Sequence, residues 1–140
     1  NFLKKKAKNS TNDNKFYYNI AALLIHAAKI DENYEEVEKD IIKKTLIELG
    51  AGSSDIDILI SNAETIEENS NQILNFTKEV KDAPLLDKIK IVESLWKIIY
   101  SNSDADIYET NLMRRLAGLL YIDSKTMGNI KEKAKRELKK

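Results

Sequence analysis

Two stretches of this 140-residue chain bring carboxylates together closely enough to do chemistry. "DENYEEVE" runs from Asp31 to Glu38 and "NSDADIYE" from Asn102 to Glu109. Each opens on an acid or amide, closes on a glutamate seven positions later, and leads into a basic stretch with helical spacing. Oxygen donors of this kind suit a hard divalent cation such as calcium, which takes about six to eight oxygens from carboxylates, carbonyls and water. The first stretch offers Asp31, Asn33, Glu35 and Glu38, and the second Asn102, Asp104, Asp106 and Glu109. Neither is an EF-hand, because the glycine-bearing loop with its terminal glutamate is missing from both. In the second stretch Asn102 gives a neutral carbonyl where the first has the charge of Asp31.

The same residues have a second reading as helix starts. Asp106 and Glu109 stand at capping-box spacing, as do Asn33 and Glu36. Acids in a first helical turn also gain from the helix dipole, by about 0.3 to 1 kcal/mol. Glu109 is explained this way without a metal. Glu38 lies one turn further in, outside the Asn33–Glu36 box and next to the apolar face of Ile41 and Ile42. A carboxylate turned partly inward needs a partner. Lys43 and Lys44, or Arg114 and Arg115, are candidates for that partner, or else they are solvated.

Apolar periodicity supplies the elements that must hold these residues. The chain is rich in Lys, Glu, Leu, Ile and Ala, with one proline and four glycines, a composition that predicts an all-α domain. Residues 1–13 lack apolar periodicity and are expected to form a flexible arm, with the helical domain over 14–140. Helices are predicted over 14–30, from Tyr34 or Glu35 to a stop at Gly50, and from a Ser53 or Ser54 cap to Glu68. Three more are predicted over 73–81, from Pro84 through Ile99, and over 107–120, and a last one follows Ser124. The expected inward faces include Ile56, Leu59, Ile60, Ala63 and Ile66 in the third helix and Met127, Ile130, Ala134 and Leu138 in the last. Seven segments are too many for a simple four-helix bundle.

Setting Asp31 against Asn102 aligns Glu38 with Glu109, Ile41 with Leu112, Lys43–Lys44 with Arg114–Arg115 and Leu49 with Leu120. One helix–acidic loop–helix unit is thus used twice, as two packed hairpins rather than an open solenoid. Together, "AALLIHAAKIDENYEEVE", "NFTKEV" and "IVESLWKIIYSNSDADIYETNLMRRLAGLL" resemble the TerB-like tellurite-resistance family over nearly the whole chain from Tyr18. The resemblance implies a compact all-helical fold in a small bacterial protein tied to tellurite and other chemical stress. It also implies a cytoplasmic or membrane-peripheral place, since related domains occur in a membrane-linked DnaJ-type co-chaperone. A divalent metal on the repeated loops is implied too, carried onto Asp31, Glu38 and Glu109, and with Asn102 in the place of the second Asp these four are the metal candidates. The family's second Asp is Asn102 here, and the Gly after each Asp is Glu32 or Ser103.

Composition closes several other routes. With no cysteine and one histidine, disulfides and thiolate metal sites are excluded and a structural zinc site is disfavoured. The longest uncharged run, 16–28, is 13 residues, well short of the roughly 20 that span a bilayer. Net charge is zero, and the basic ends lack interleaved aromatics, so nucleic acid is not the expected partner. Charge is nonetheless uneven, with 12 acids against three lysines from Asp31 to Ser70. Such asymmetry either steers a partner or is a solvated face. His26 reads as a satisfied, semi-buried histidine rather than a ligand, because no second His or Cys can join it. Trp96 and Tyr100, at i,i+4 spacing, read as core or core-edge packing, with a partner groove as the alternative. No phosphate-cradling glycine loop and no distinctive nucleophile order is present, so an enzyme is not expected. The expected function is a non-enzymatic module acting on an unnamed protein partner; the alternative is a divalent-cation sensor, and a hydrolase comes a distant third.

Overall fold

The computed structural model describes residues 2–30, 34–70, 74–101 and 107–138. Side chains are described outside 2–14, 30, 74–75, 79 and 107–110. These residues form seven α-helices and one 3-10 turn, with no strand among them: α1 (Phe2–Ile30), α2 (Glu36–Glu48), the turn Ser53–Asp55, α3 (Ile56–Glu68), α4 (Leu74–Val80), α5 (Leu85–Tyr100), α6 (Ile107–Leu119) and α7 (Ser124–Leu138). The all-α expectation holds, and most helix ends lie within a residue or two of those predicted. α1 differs, beginning at Phe2 instead of near Asn14.

α1 is the axis of the fold. From Ile20 to Ile25 it is buried on every side, as a helix must be when neighbours pack all around it. α2, α3, α4 and α5 all pack against it, while α7 closes over α5. Met113, Leu116 and Leu120 bring α6 into the same core, which continues through Phe76, Ile91, Leu95 and Trp96. Polar groups also bridge the helices. The buried hydroxyls of Thr45 and Ser94 meet at 2.8 Å and join α2 to α5.

Two predicted inward positions are turned out. Ile66 is 38% exposed and Leu138 39%. Leu138 is the last residue of α7. In α3 it is Glu67 that points inward, at 8% exposure, because Lys29 and His26 of α1 meet its carboxylate.

Gly50 stops α2 as expected. It has φ +118°, its N–H donates to Ile47 and the Ala51 N–H to Leu46, which is a Schellman motif. α6 stops in the same way, with Tyr121 at φ +58° in the glycine's place and the Ile122 N–H donating to Ala117. The left-handed region is uncommon for a residue with a Cβ.

Candidate functional site at the junction of the acidic loops

Of the four metal candidates, Glu38 is the one whose side chain the structure describes. Asp31 and Asn102 lie outside the described residues, and Glu109 is placed on α6 without its side chain. Glu38 is fully buried. Its Oε1 accepts the Glu35 N–H at 2.9 Å and its Oε2 accepts the Ser101 hydroxyl at 2.7 Å. Ser101 Oγ also lies 2.7 Å from the Ile98 carbonyl, yet a hydroxyl has one proton to give. The Ile98 oxygen already receives the Ser101 N–H, at 3.3 Å, and a carboxylate is the stronger acceptor. The proton therefore goes to Glu38.

This arrangement corrects the sequence reading of Glu38. The N-cap of α2 is Glu35, extended at φ −113° and ψ −174°, not Asn33. Glu38 thus stands at N3, and its carboxylate reaches back to the cap backbone as the third residue of a capping box. The sequence denied Glu38 a capping role because Asn is a common cap and Glu a rare one. Its expected inward orientation is correct. The partners described for it are a backbone N–H and a hydroxyl rather than the basic runs. Lys43 pairs instead with Asp57 of α3 at 2.9 Å, and Arg114 and Arg115 are exposed.

The hydrogen bond to Ser101 has a topological consequence. Glu38 follows the first acidic loop, and Ser101 is the residue from which the second departs. One 2.7 Å contact thus ties the two loop bases together. A carboxylate is an oxygen donor of the kind a hard cation takes. No cluster of three or more His, Cys, Asp or Glu side chains suited to a metal occurs among the described residues.

Beside this junction the end of α1 carries a second polar cluster that the sequence did not signal. Glu67 Oε1 accepts from Lys29 Nζ at 2.7 Å, and Oε2 lies 3.2 Å from His26 Nδ1. The His26 ring also rests near Phe76, with centroids 6.1 Å apart. His26 is the satisfied, semi-buried residue expected. Tyr34 is covered by Lys39, whose ammonium stands 5.1 Å from the ring centre and 3.4 Å from Glu64. The Tyr34 hydroxyl is shut in, and Glu64 lies beside it without meeting hydrogen-bond geometry. Burial first, and then that carboxylate, push the phenol above its ordinary pKa.

Comparison with known families settles what kind of chain this is. The family model described as Tellurite resistance protein TerB matches residues 18–132. The chain belongs to the TerB family. That match begins within α1 and ends within α7, so it takes in both acidic loops and the Glu38–Ser101 bond between them. Neither the comparison with curated proteins nor that with solved structures gave a match. The all-helical architecture and the tellurite-resistance association thus stand for this TerB chain. No helix among the described residues is long and apolar enough to cross a membrane.

Proposed function

We propose that this TerB chain is a non-enzymatic module of the tellurite and chemical-stress response that works through contacts with another protein, with the paired acidic loops as its working end. The observation that supports the reading is the bond between Glu38 and Ser101, which holds the bases of the two acidic loops side by side. Other buried charges serve the fold in a comparable way. Glu67 joins α3 to α1, and Lys88 of α5 donates to the carbonyl of Leu120, just past the end of α6, at 3.0 Å. Such groups act as struts, and an acidic surface at the loops would recognise a basic surface on its partner. Deleting the gene and restoring it as wild type or as Glu38→Ala tests the reading. Tellurite tolerance should fall on deletion, return with wild type and return incompletely with the variant. Equal tolerance in all four strains, or recovery of only uncomplexed protein after cross-linking in the native cell, would refute it.

The same contact favours a second reading, a divalent-cation sensor built from Asp31, Glu38, Asn102 and Glu109. Two loops that share a base can supply oxygens to one ion, and a cation that binds the native state raises stability by mass action. Chelator-treated protein should then melt at a higher temperature with calcium, magnesium or manganese, and Glu38→Ala should remove the rise. Melting that ignores every metal would exclude the sensor and leave the protein-contact reading intact.

A further inference from the structure

A groove of about 670 Å³ runs between α6 and α7 above α5, within the ~300–1,000 Å³ typical of small-ligand sites. Its floor is apolar, made by Trp96, Met113, Ile122 and Met127. Gly118 of α6 and Gly128 of α7 line it from either helix. Neither glycine is needed by this chain's own conformation, since only Gly50 among the glycines has positive φ. Packing does not need them either, because a Cβ added at Gly118 or Gly128 would meet nothing within 4 Å. Alanine would favour the helix at both positions. Two bare positions lining one groove keep open a space that nothing among the described residues fills.

A further feature, charge, points to an occupant. Arg114 and Lys131 border the groove, and neither has a carboxylate within ion-pair distance among the described residues. Lys131 instead holds its ammonium 5.3 Å from the centre of the Trp96 ring, and Trp96 is stacked on Tyr100 with centroids 5.8 Å apart. The acid in the lining, Asp123, is already engaged. Its carboxylate caps α7 by accepting the Thr126 N–H at 2.7 Å, and that bond holds its pKa below the usual carboxylate range. An apolar trough with two uncommitted cations at its edge complements a molecule with an apolar body and an anionic head.

We propose that the α6–α7 groove binds a small anionic amphiphile, its apolar body on the Trp96 floor between Gly118 and Gly128 and its carboxylate or phosphate head between Arg114 and Lys131. Trp96 is the chain's one tryptophan, so its emission reads the site directly. Decanoate, decyl phosphate and uncharged decanol, each below its micellar concentration, are titrated into the protein. Saturable emission changes are expected with both anions, whose relative affinities tell a carboxylate preference from a phosphate one, and about tenfold weaker binding with decanol. Gly128→Leu should abolish the response, while Gly128→Ala, melting no lower than wild type, shows that the helix tolerates a side chain there. Arg114→Ala with Lys131→Ala should reduce the anions to the affinity of decanol. Absence of a saturable response to all three probes, equal affinity for decanol and the anions, or undiminished binding by Gly128→Leu would each overturn the proposal. Self-association that Gly128→Leu removes, with no probe response, would assign the groove to a second copy of the chain and overturn it equally.

Discussion

If the Glu38–Ser101 bond ties the loop bases together, its removal should be costly with or without a metal. Glu38 is fully buried and accepts two hydrogen bonds, from the Glu35 N–H at 2.9 Å and the Ser101 hydroxyl at 2.7 Å. Bonds to a charged acceptor contribute about 1.5 to 3 kcal/mol each, and loss of an acid from the first turn adds a few tenths. Since the two are not strictly additive, Glu38→Ala should lose about 3 to 4 kcal/mol. For a domain of this size that is a fall in Tm of roughly 10 to 15 °C. Ser101→Ala should lose about 2 kcal/mol. The double variant should lose less than the sum of the two, with a coupling of about 1.5 kcal/mol. Urea denaturation of the four proteins in chelator measures all of this in one cycle. A strut predicts the same coupling in chelator as in millimolar calcium, whereas a metal ligand predicts a Glu38→Ala cost that grows with calcium. Additive losses in chelator, or a Glu38→Ala cost under about 1 kcal/mol there, would refute the strut.

Four other outcomes follow from single contacts. Gly50→Ala places a Cβ at φ +118° and 2.7 Å from the Tyr17 hydroxyl, which itself donates to the Leu49 carbonyl at 3.2 Å; it should cost about 2 kcal/mol in a urea melt. Tyr121→Gly, at the equivalent stop of α6, should be neutral or stabilising by up to about 1 kcal/mol, since the 72% exposed ring loses little beyond its contact with Lys88; a clear loss of stability would assign that ring a packing role. Glu67→Ala should cost about 2 kcal/mol and its neighbour Ile66→Ala less than about 1, the reverse of what hydrophobicity alone predicts, and equal costs in denaturant would contradict the Glu67 contacts. Glu137, hydrogen-bonded to Lys97 at 2.6 Å, is held down to about 2 from an ordinary value near 4.5. A depressed carboxylate stabilises the fold above its unfolded pKa, so this contribution is complete above about pH 4.5 and fades as pH falls towards 2. The pair is more than a third exposed on the Glu137 side, which limits the effect to at most about 1 kcal/mol. Carboxyl NMR should show Glu137 titrating well below pH 4, and an ordinary midpoint would contradict the Lys97 contact.

What the sequence disclosed and what it hid divide along the range of the forces involved. Apolar spacing located the helices, and one backbone requirement located the stop at Gly50, because both depend on residues close together in the chain. Tyr121 escaped notice at the matching stop of α6, since only its backbone, not its side-chain type, marks it. Glu67 was hidden for the opposite reason. On α3 alone Ile66 is the better core residue, and the balance reverses only when Lys29 and His26 arrive from α1 to meet the carboxylate.

Glu38 lies between these cases, and it carries the functional reading. Its burial was legible from the apolar face of α2, whereas its second partner, Ser101, lies 63 residues away and is reached only through the packing of α5 against α2. An isolated capping box would satisfy one carboxylate oxygen and leave the other facing the core. The hydroxyl of Ser101, at the C-terminal end of α5, meets that second oxygen, so the start of α2 is held in this form from beside the departure of the second loop. Local capping and tertiary pairing are therefore not alternatives to a shared site at the acidic loops. They are the means by which a chain with two separated acidic stretches brings their bases together.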